Sequence, residues 1–193
     1  MLMEIIKERT VLEKDGIKVK DIGVQLLNKS TREIVFFEFD RGPVIIIPRT
    51  KDGRFIIIKQ NRLGIEGKNI EFPSGGIEKG ESPVQAAERE LLEETGAIGT
   101  LTSVGWFNAF TEFTNLKVHV FLATDLDVDF SRQNLEPSES FTPEFITEND
   151  LLRNIASNDF SDAYLLSPLM KYYAYIKNNH ADLSNSLKKD LNL

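Results

Sequence analysis

EFPSGGIEKGESPVQAAERELLEETGA, residues 71–97, joins a glycine-rich turn to a helix crowded with carboxylates. Ser82 suits the N-cap, Pro83 the first helical position and Gly96 the stop, so a helix is predicted over residues 82–95. Val84, Ala87 and Leu91 share one stripe and predict its buried face. On a helix turning about 100° per residue, Glu90, Glu93 and Glu94 lie within roughly 100° of arc beside that stripe. Three carboxylates so close repel one another unless a cation or strong donors offset them. A solvated acidic face is the bland alternative, and the preceding turn weighs against it. Pro73-Ser74-Gly75-Gly76 and Lys79-Gly80 let backbone carbonyls and amides approach a ligand closely. Hard cations such as Mg²⁺ take oxygen ligands from carboxylates and carbonyls, together with water and phosphate. Arg89 can pair with a helix carboxylate or with Glu81 and hold the array in position.

Upstream, PVIIIP (Pro43–Pro48) and RFIIIKQ (residues 54–60) flank Thr50-Lys51-Asp52-Gly53. Asp-Gly between two β-branched runs predicts a hairpin, and the unbroken isoleucines predict strands covered on both faces. Farther upstream, residues 17–27 and 33–39 alternate like antiparallel strands, with Asp15-Gly16 and Asn28-Lys29-Ser30 as turns. Downstream, strands are expected at residues 101–107 and 117–124, followed by an acidic loop over residues 125–140. A strand near residues 141–146 and helices at Glu148–Ala156 and residues 162–176 come next, and a polar tail closes the chain. Strands interspersed with a few helices favour an α+β or sandwiched-sheet domain over regular βαβ alternation.

The composition sets outer limits. The 193 residues are 41% hydrophobic and 27% charged, as in an ordinary folded domain. There is no cysteine, which excludes disulfides, thiolate nucleophiles and cysteine-bound zinc. The net charge of −7 comes with no basic stripe, so no nucleic-acid partner is expected. No apolar run is long enough for a membrane span and MLMEIIKERT does not read as a signal peptide, so a cytoplasmic protein is expected. With only His119 and His180 present, Ser-His-Asp chemistry has no support.

Gly75, five residues, Glu81, seven residues, then Arg89-Glu90-Leu91-Leu92-Glu93-Glu94-Thr95-Gly96-Ala97 resembles the Nudix box of the Nudix hydrolases. Only Ala97 departs, where a larger aliphatic residue is usual. The resemblance implies a Nudix-type α/β/α sandwich, here with an N-terminal antiparallel β-rich extension. It also implies Mg²⁺- or Mn²⁺-assisted attack of water on phosphorus. Carried onto this chain, it makes Glu90, Glu93 and Glu94 metal ligands and catalytic residues, with the Ser74 carbonyl as a backbone ligand. Gly75, Glu81 and Arg89 become structural or orienting residues, Glu81 alternatively reaching metal through water.

Lys59-Gln60-Asn61-Arg62 and Glu71-Phe72-Pro73-Ser74-Gly75 resemble the ADP-ribose and nucleotide-sugar pyrophosphatase branch. The implied substrate is a nucleoside diphosphate-linked small molecule. Arg62 is the candidate for its phosphates or sugar, against a surface ion pair, and Glu71 either contacts substrate or supports the loop. The branch supplies a general base from a late loop; Glu139 matches best and Glu136 is next. After the box that branch usually carries a Pro-Gly pair and then a Glu. Here Thr111-Glu112 and Leu116 stand instead, which leaves other nucleotide sugars, dinucleoside polyphosphates, NADH or noncanonical triphosphates open. A nucleotide sensor without turnover is the reading of another class, and the intact carboxylate set weighs against it. Trp106, Phe107, Phe110 and Phe113 either stack a base or, as such residues more commonly do, fill the core. The expected organisation is a β-rich region at residues 1–42 that builds a homodimer, a catalytic domain at residues 43–178, and a polar tail at residues 179–193.

Overall fold

Asp15 and Gly16 both take left-handed backbone angles, with φ of 51° and 76°, the conformation that two-residue hairpin turns use. They join β1 (Met3–Lys14) to β2 (Ile17–Leu26) in the computed structural model, which describes residues 3–64, 67–137 and 139–179. β3 (Thr31–Phe39) completes an antiparallel meander in the order β1-β2-β3, as the alternation predicts. Cross-strand ion pairs lace the sheet: Arg9 to Asp21 at 2.7 Å, and Lys20 to Glu8 at 2.7 Å and to Glu38 at 2.6 Å.

The chain divides into two compact units, and this meander belongs to the first, Met1–Gly42 with Phe107–Val118. The later segment is knitted to β3: Phe37 N–H donates to the Phe113 carbonyl at 2.7 Å, and Asn115 bonds both the N–H and the carbonyl of Phe39. Arg32 pairs with Glu112 at 2.8 Å. The residues that replace the branch's usual Pro-Gly pair thus lie in a segment bonded to the N-terminal sheet. Phe110 is 67% exposed, and Phe113 and Trp106 are also exposed, so the expected core role fails for all three.

The second unit is Pro43–Trp106 with His119–Leu193. Its four-stranded sheet has the order β7-β4-β9-β8, from β7 (Ser74–Gly76), β4 (Pro43–Pro48), β9 (Lys117–Val128) and β8 (Ala97–Asn108). A three-stranded antiparallel sheet has the order β10-β5-β6, from β10 (Glu144–Ile146), β5 (Phe55–Asn61) and β6 (Lys68–Glu71). The helices are α1 (Pro83–Thr95), α2 (Glu148–Ala156) and α3 (Ala163–Asn179).

The predicted hairpin does not form. The Asp52-Gly53 turn is present, with Gly53 at φ 85° and Thr50 N–H bonded to the Arg54 carbonyl. Beyond one bridge, Arg49 to Phe55, the two strands part into different sheets. β4 already has β9 on one edge, in parallel, and β7 on the other, so no edge is left for β5. Separation gives both isoleucine runs cover on both faces: Val44, Ile45, Ile46, Ile47, Ile56 and Ile58 are all fully buried. At about 25 cal/mol per Å² of apolar surface, each such side chain contributes about 2 kcal/mol.

α1 packs its Ala86, Ala87 and Leu91 against Val44, Ile46, Ile56, Phe121 and Ala123. Val84, expected on that stripe, is 40% exposed. The helix is rotated so that Ala86, Glu90 and Glu94 take the inward arc, and the carboxylates themselves enter the interior. Strand β9 runs through residues expected as loop, because a left-handed Asp125 (φ 51°) interrupts the alternation that Leu126 and Val128 resume against the core. α3 closes the unit with Tyr172 edge-on to Phe55 at a ring distance of 5.6 Å. No helix among the described residues is long and apolar enough to cross a membrane. Residues 180–193, including His180 and nearly all of the expected tail, lie outside the described residues.

Candidate active site

β6, β7 and α1 bring the marked residues of the 71–97 stretch together. Ser82 caps α1 and shares a capping box with Gln85, while Gly96 ends the helix in the left-handed region at φ 62°. The turn before it is held by Ile46 N–H donating to the Pro73 carbonyl at 2.8 Å. Gly75 lies against the helix so tightly that a Cβ there would come within 1.9 Å of Glu90 Oε1. That close approach is the physical reason for glycine at this position.

Glu94 is 1% exposed and Glu90 is 8% exposed. Glu94 Oε2 accepts the Ser74 N–H at 2.6 Å. Burial pushes its carboxyl up to about 9 against that bond, and the charges of Glu90, Glu139 and Glu71 add to the rise. Glu90 is also raised, by burial first, with Arg89 opposing and Glu93 and Glu139 contributing.

Arg89 is the only cation bonded to this array among the described residues. It donates to both Glu81 oxygens (2.9 and 3.1 Å), to Glu90 at 2.6 Å, to Glu93 at 3.1 Å and to the Gly76 carbonyl at 2.9 Å. Turn and helix are therefore tied through one guanidinium, whose proton Glu81 above all holds more firmly. Glu81 also accepts the Glu78 N–H at 2.9 Å, and its carboxyl lies below the usual range, chiefly through Arg89.

Arg62 forms a two-point pair with Glu71, Nε to Oε1 at 2.7 Å and Nη2 to Oε2 at 2.5 Å. Glu71 is 3% exposed while Arg62 is half exposed, so the pair is buried at its carboxylate and open to solvent at its guanidinium. Asn69, which the sequence reading missed, donates to Glu71 Oε1 at 2.8 Å. Strand alternation was the available signal, since residues two apart share a face. Glu139 belongs to the β9–β10 loop; its N–H donates to the Glu136 carbonyl at 2.9 Å and its carboxylate accepts the Glu136 N–H at 3.1 Å. The charge of Glu139 contributes to the rise of both buried glutamates of α1.

With Glu90 and Glu93 bonded to Arg89 and Glu94 to Ser74, no three His, Asp or Glu side chains among the described residues converge on one cation position. The donor set nonetheless fits a hard divalent cation. Every side chain is an oxygen donor, and two buried carboxylates are driven toward their neutral forms, a penalty that a bound cation removes.

Residues 40–166 match the model of the NUDIX domain. The ADP-ribose pyrophosphatase of Bacillus subtilis (strain 168) is 32% identical over 169 residues, covering 83% of this chain and 90% of that protein. The methanol dehydrogenase activator of Bacillus methanolicus is 28% identical over 163 residues, 82% of this chain and 85% of that one. The crystal structure of an ADP compounds hydrolase superposes with a TM-score of 0.78 at 24% identity, covering 93% of this chain and 97% of that chain.

Proposed function

The chain belongs to the NUDIX family and is a hydrolase, and from that premise we propose that it cleaves the diphosphate linkage of ADP-ribose or a related nucleoside diphosphate sugar. The products are a nucleoside monophosphate and a sugar phosphate. The observation that carries this substrate class is the likeness to the Bacillus subtilis ADP-ribose pyrophosphatase along nearly that protein's whole length.

Hydrolases of this family generally use divalent metal ions; Mg²⁺ or Mn²⁺ is our assignment, because the donors are hard oxygens. Glu90, Glu93, Glu94 and the Ser74 carbonyl would hold the metal, which when bound supplies charge neutralisation on the diphosphate and a more acidic water. Glu139 acts as general base, taking a proton from the attacking water at a carboxylate oxygen. As oxygen bonds to phosphorus, the bridging P–O bond breaks and the second phosphate leaves. Arg62, with Nε and Nη2 on Glu71, offers Nη1 to a phosphate or sugar oxygen. Glu71 supports it from a buried position. Arg89 and Glu81 keep turn and helix in register.

We assign a homodimer built through the N-terminal strands, supported by Ile5, Leu12 and Val35, which stand exposed there, and a cytoplasmic location. Sedimentation at micromolar concentration tests the first: a monomer removes it. A panel of ADP-ribose, nucleotide sugars, dinucleoside polyphosphates, NADH and noncanonical triphosphates tests the substrate, with Mg²⁺ or Mn²⁺ and with Glu93→Gln and Glu94→Gln as controls. Turnover of ADP-ribose or a nucleotide sugar to two monophosphates is expected. Tight binding across the panel without turnover rejects the enzyme reading in favour of a sensor.

A further inference from the structure

The loop between β9 and β10 is fastened to the end of α1 at three points. Asp129 N–H donates to the Gly96 carbonyl at 3.3 Å, and Asn134 N–H donates to the Glu93 carbonyl at 2.9 Å. The third bond comes from a side chain: Gln133 Nε2 donates to the Glu94 carbonyl at 2.8 Å. The last carbonyls of a helix have no partners within it, and here the loop supplies them. The fit is close, since a Cβ on Gly96 would come within 2.1 Å of the Asp129 carbonyl oxygen.

Gln133 does one thing more. The same Nε2 reaches the Phe141 carbonyl at 3.3 Å, so one amide joins the two sides of the loop's neck to the helix. Glu139 lies inside that neck, two residues before Phe141. The remainder of the loop holds the Glu139 carboxylate through its own backbone, by the bond from Glu136 N–H. The rings of Phe130 and Phe145, 5.5 Å apart, bring together segments on either side of the neck.

We propose that Gln133 is a positioning residue that clasps this loop to α1 and thereby sets where Glu139 stands relative to Glu90 and Glu94. The inference rests on the reading of Glu139 as general base. One of the two carbonyls it grips belongs to Glu94, whose carboxylate is part of the array, and the other to Phe141, so this side chain ties both sides of the neck to the array, beside the backbone bond from Asn134 N–H to the Glu93 carbonyl. A general base works only within hydrogen-bond reach of the proton it takes, and misplacement by about 1 Å costs on the order of a hundredfold in rate.

A double-mutant cycle with ADP-ribose at saturating Mg²⁺ tests this. Gln133→Ala is expected to lower kcat about 10- to 100-fold with KM within about twofold. Gln133→Met keeps the volume without the donors and carries the test if the alanine variant folds poorly. In the Glu139→Gln background the same substitutions are expected to change kcat less than about twofold, because the group they position is gone. Equal losses in both backgrounds overturn the proposal and reduce Gln133 to general support. So does unchanged kcat in Gln133→Ala while Glu139→Gln is impaired. Near-normal turnover of Glu139→Gln alone is a separate outcome: it removes the general base and the clasp with it.

Discussion

Glu38, in the N-terminal sheet, and Glu94, on α1, are the same side chain in opposite circumstances. Glu38 accepts from Lys20 at 2.6 Å and lies 3.5 Å from Lys18, and its carboxyl is held below the usual range, first by the Lys20 bond. Glu94 meets one N–H, from Ser74, and the charges of three other carboxylates, and burial lifts it to about 9. On the sheet, charges of both signs alternate and folding alone accounts for them. In the site, carboxylates outnumber their one cationic partner, Arg89, and Glu94 is buried with no cation bonded to it among the described residues. Buried carboxylates without enough cations mark chemistry; paired ones on a strand mark architecture.

The sharpest way to break this comparison is Glu94→Gln. Activity should fall about a thousandfold, the several kcal/mol of charge stabilisation that a metal supplies. In chelator at pH 7 the same variant should melt above wild type, by about 2–4 °C for each kcal/mol relieved. The sign follows from the shift: a carboxyl raised from 4.5 to about 9 makes folding progressively less favourable as pH climbs between those values. Below the lower value the two proteins should melt alike. A Glu94→Gln protein less stable than wild type at pH 7 would contradict the picture.

Gly75→Ala comes next. Its new Cβ would stand 1.9 Å from Glu90 Oε1, so Glu90 must move and turnover should drop about a hundredfold. Steady-state kinetics beside circular dichroism separates this from unfolding. Arg62→Ala leaves Glu71 buried without its guanidinium. Urea unfolding should show a loss of about 1–3 kcal/mol, trimmed because Arg62 itself is half exposed, together with a raised KM. Smallest of all is Lys20→Ala on the sheet, which should shift the melting temperature by no more than about 2 °C and leave kcat unchanged. A large kinetic effect there would erase the distinction between the two regions.

Much of the site was legible because it is local. Caps, helical spacing and a glycine-rich turn act over a few residues, and residues 71–97 therefore announce both helix and carboxylate array. Glu139 was reachable only through resemblance, Asn69 only through its place two residues before Glu71 on a strand, and nothing about Gln133 in the chain distinguishes it from other polar residues. Where local rules competed with distant partners, they lost. The Asp52-Gly53 turn formed as its residues dictate, yet β5 did not pair with β4. Val44 met His119 and Ile47 met Leu122 instead, partners far along the chain.

Residue order alone determined the helix, its caps, the clustering of Glu90, Glu93 and Glu94, and the strands' apolar character. Each is a matter of neighbours within a turn or a pleat. Tertiary structure decided which strands share an edge, how far α1 rotates its carboxylates into the core, and which loop reaches its C-terminus. Those outcomes depend on competition for sheet edges, buried area and orphaned carbonyls, and such competition is settled between segments that only folding brings together.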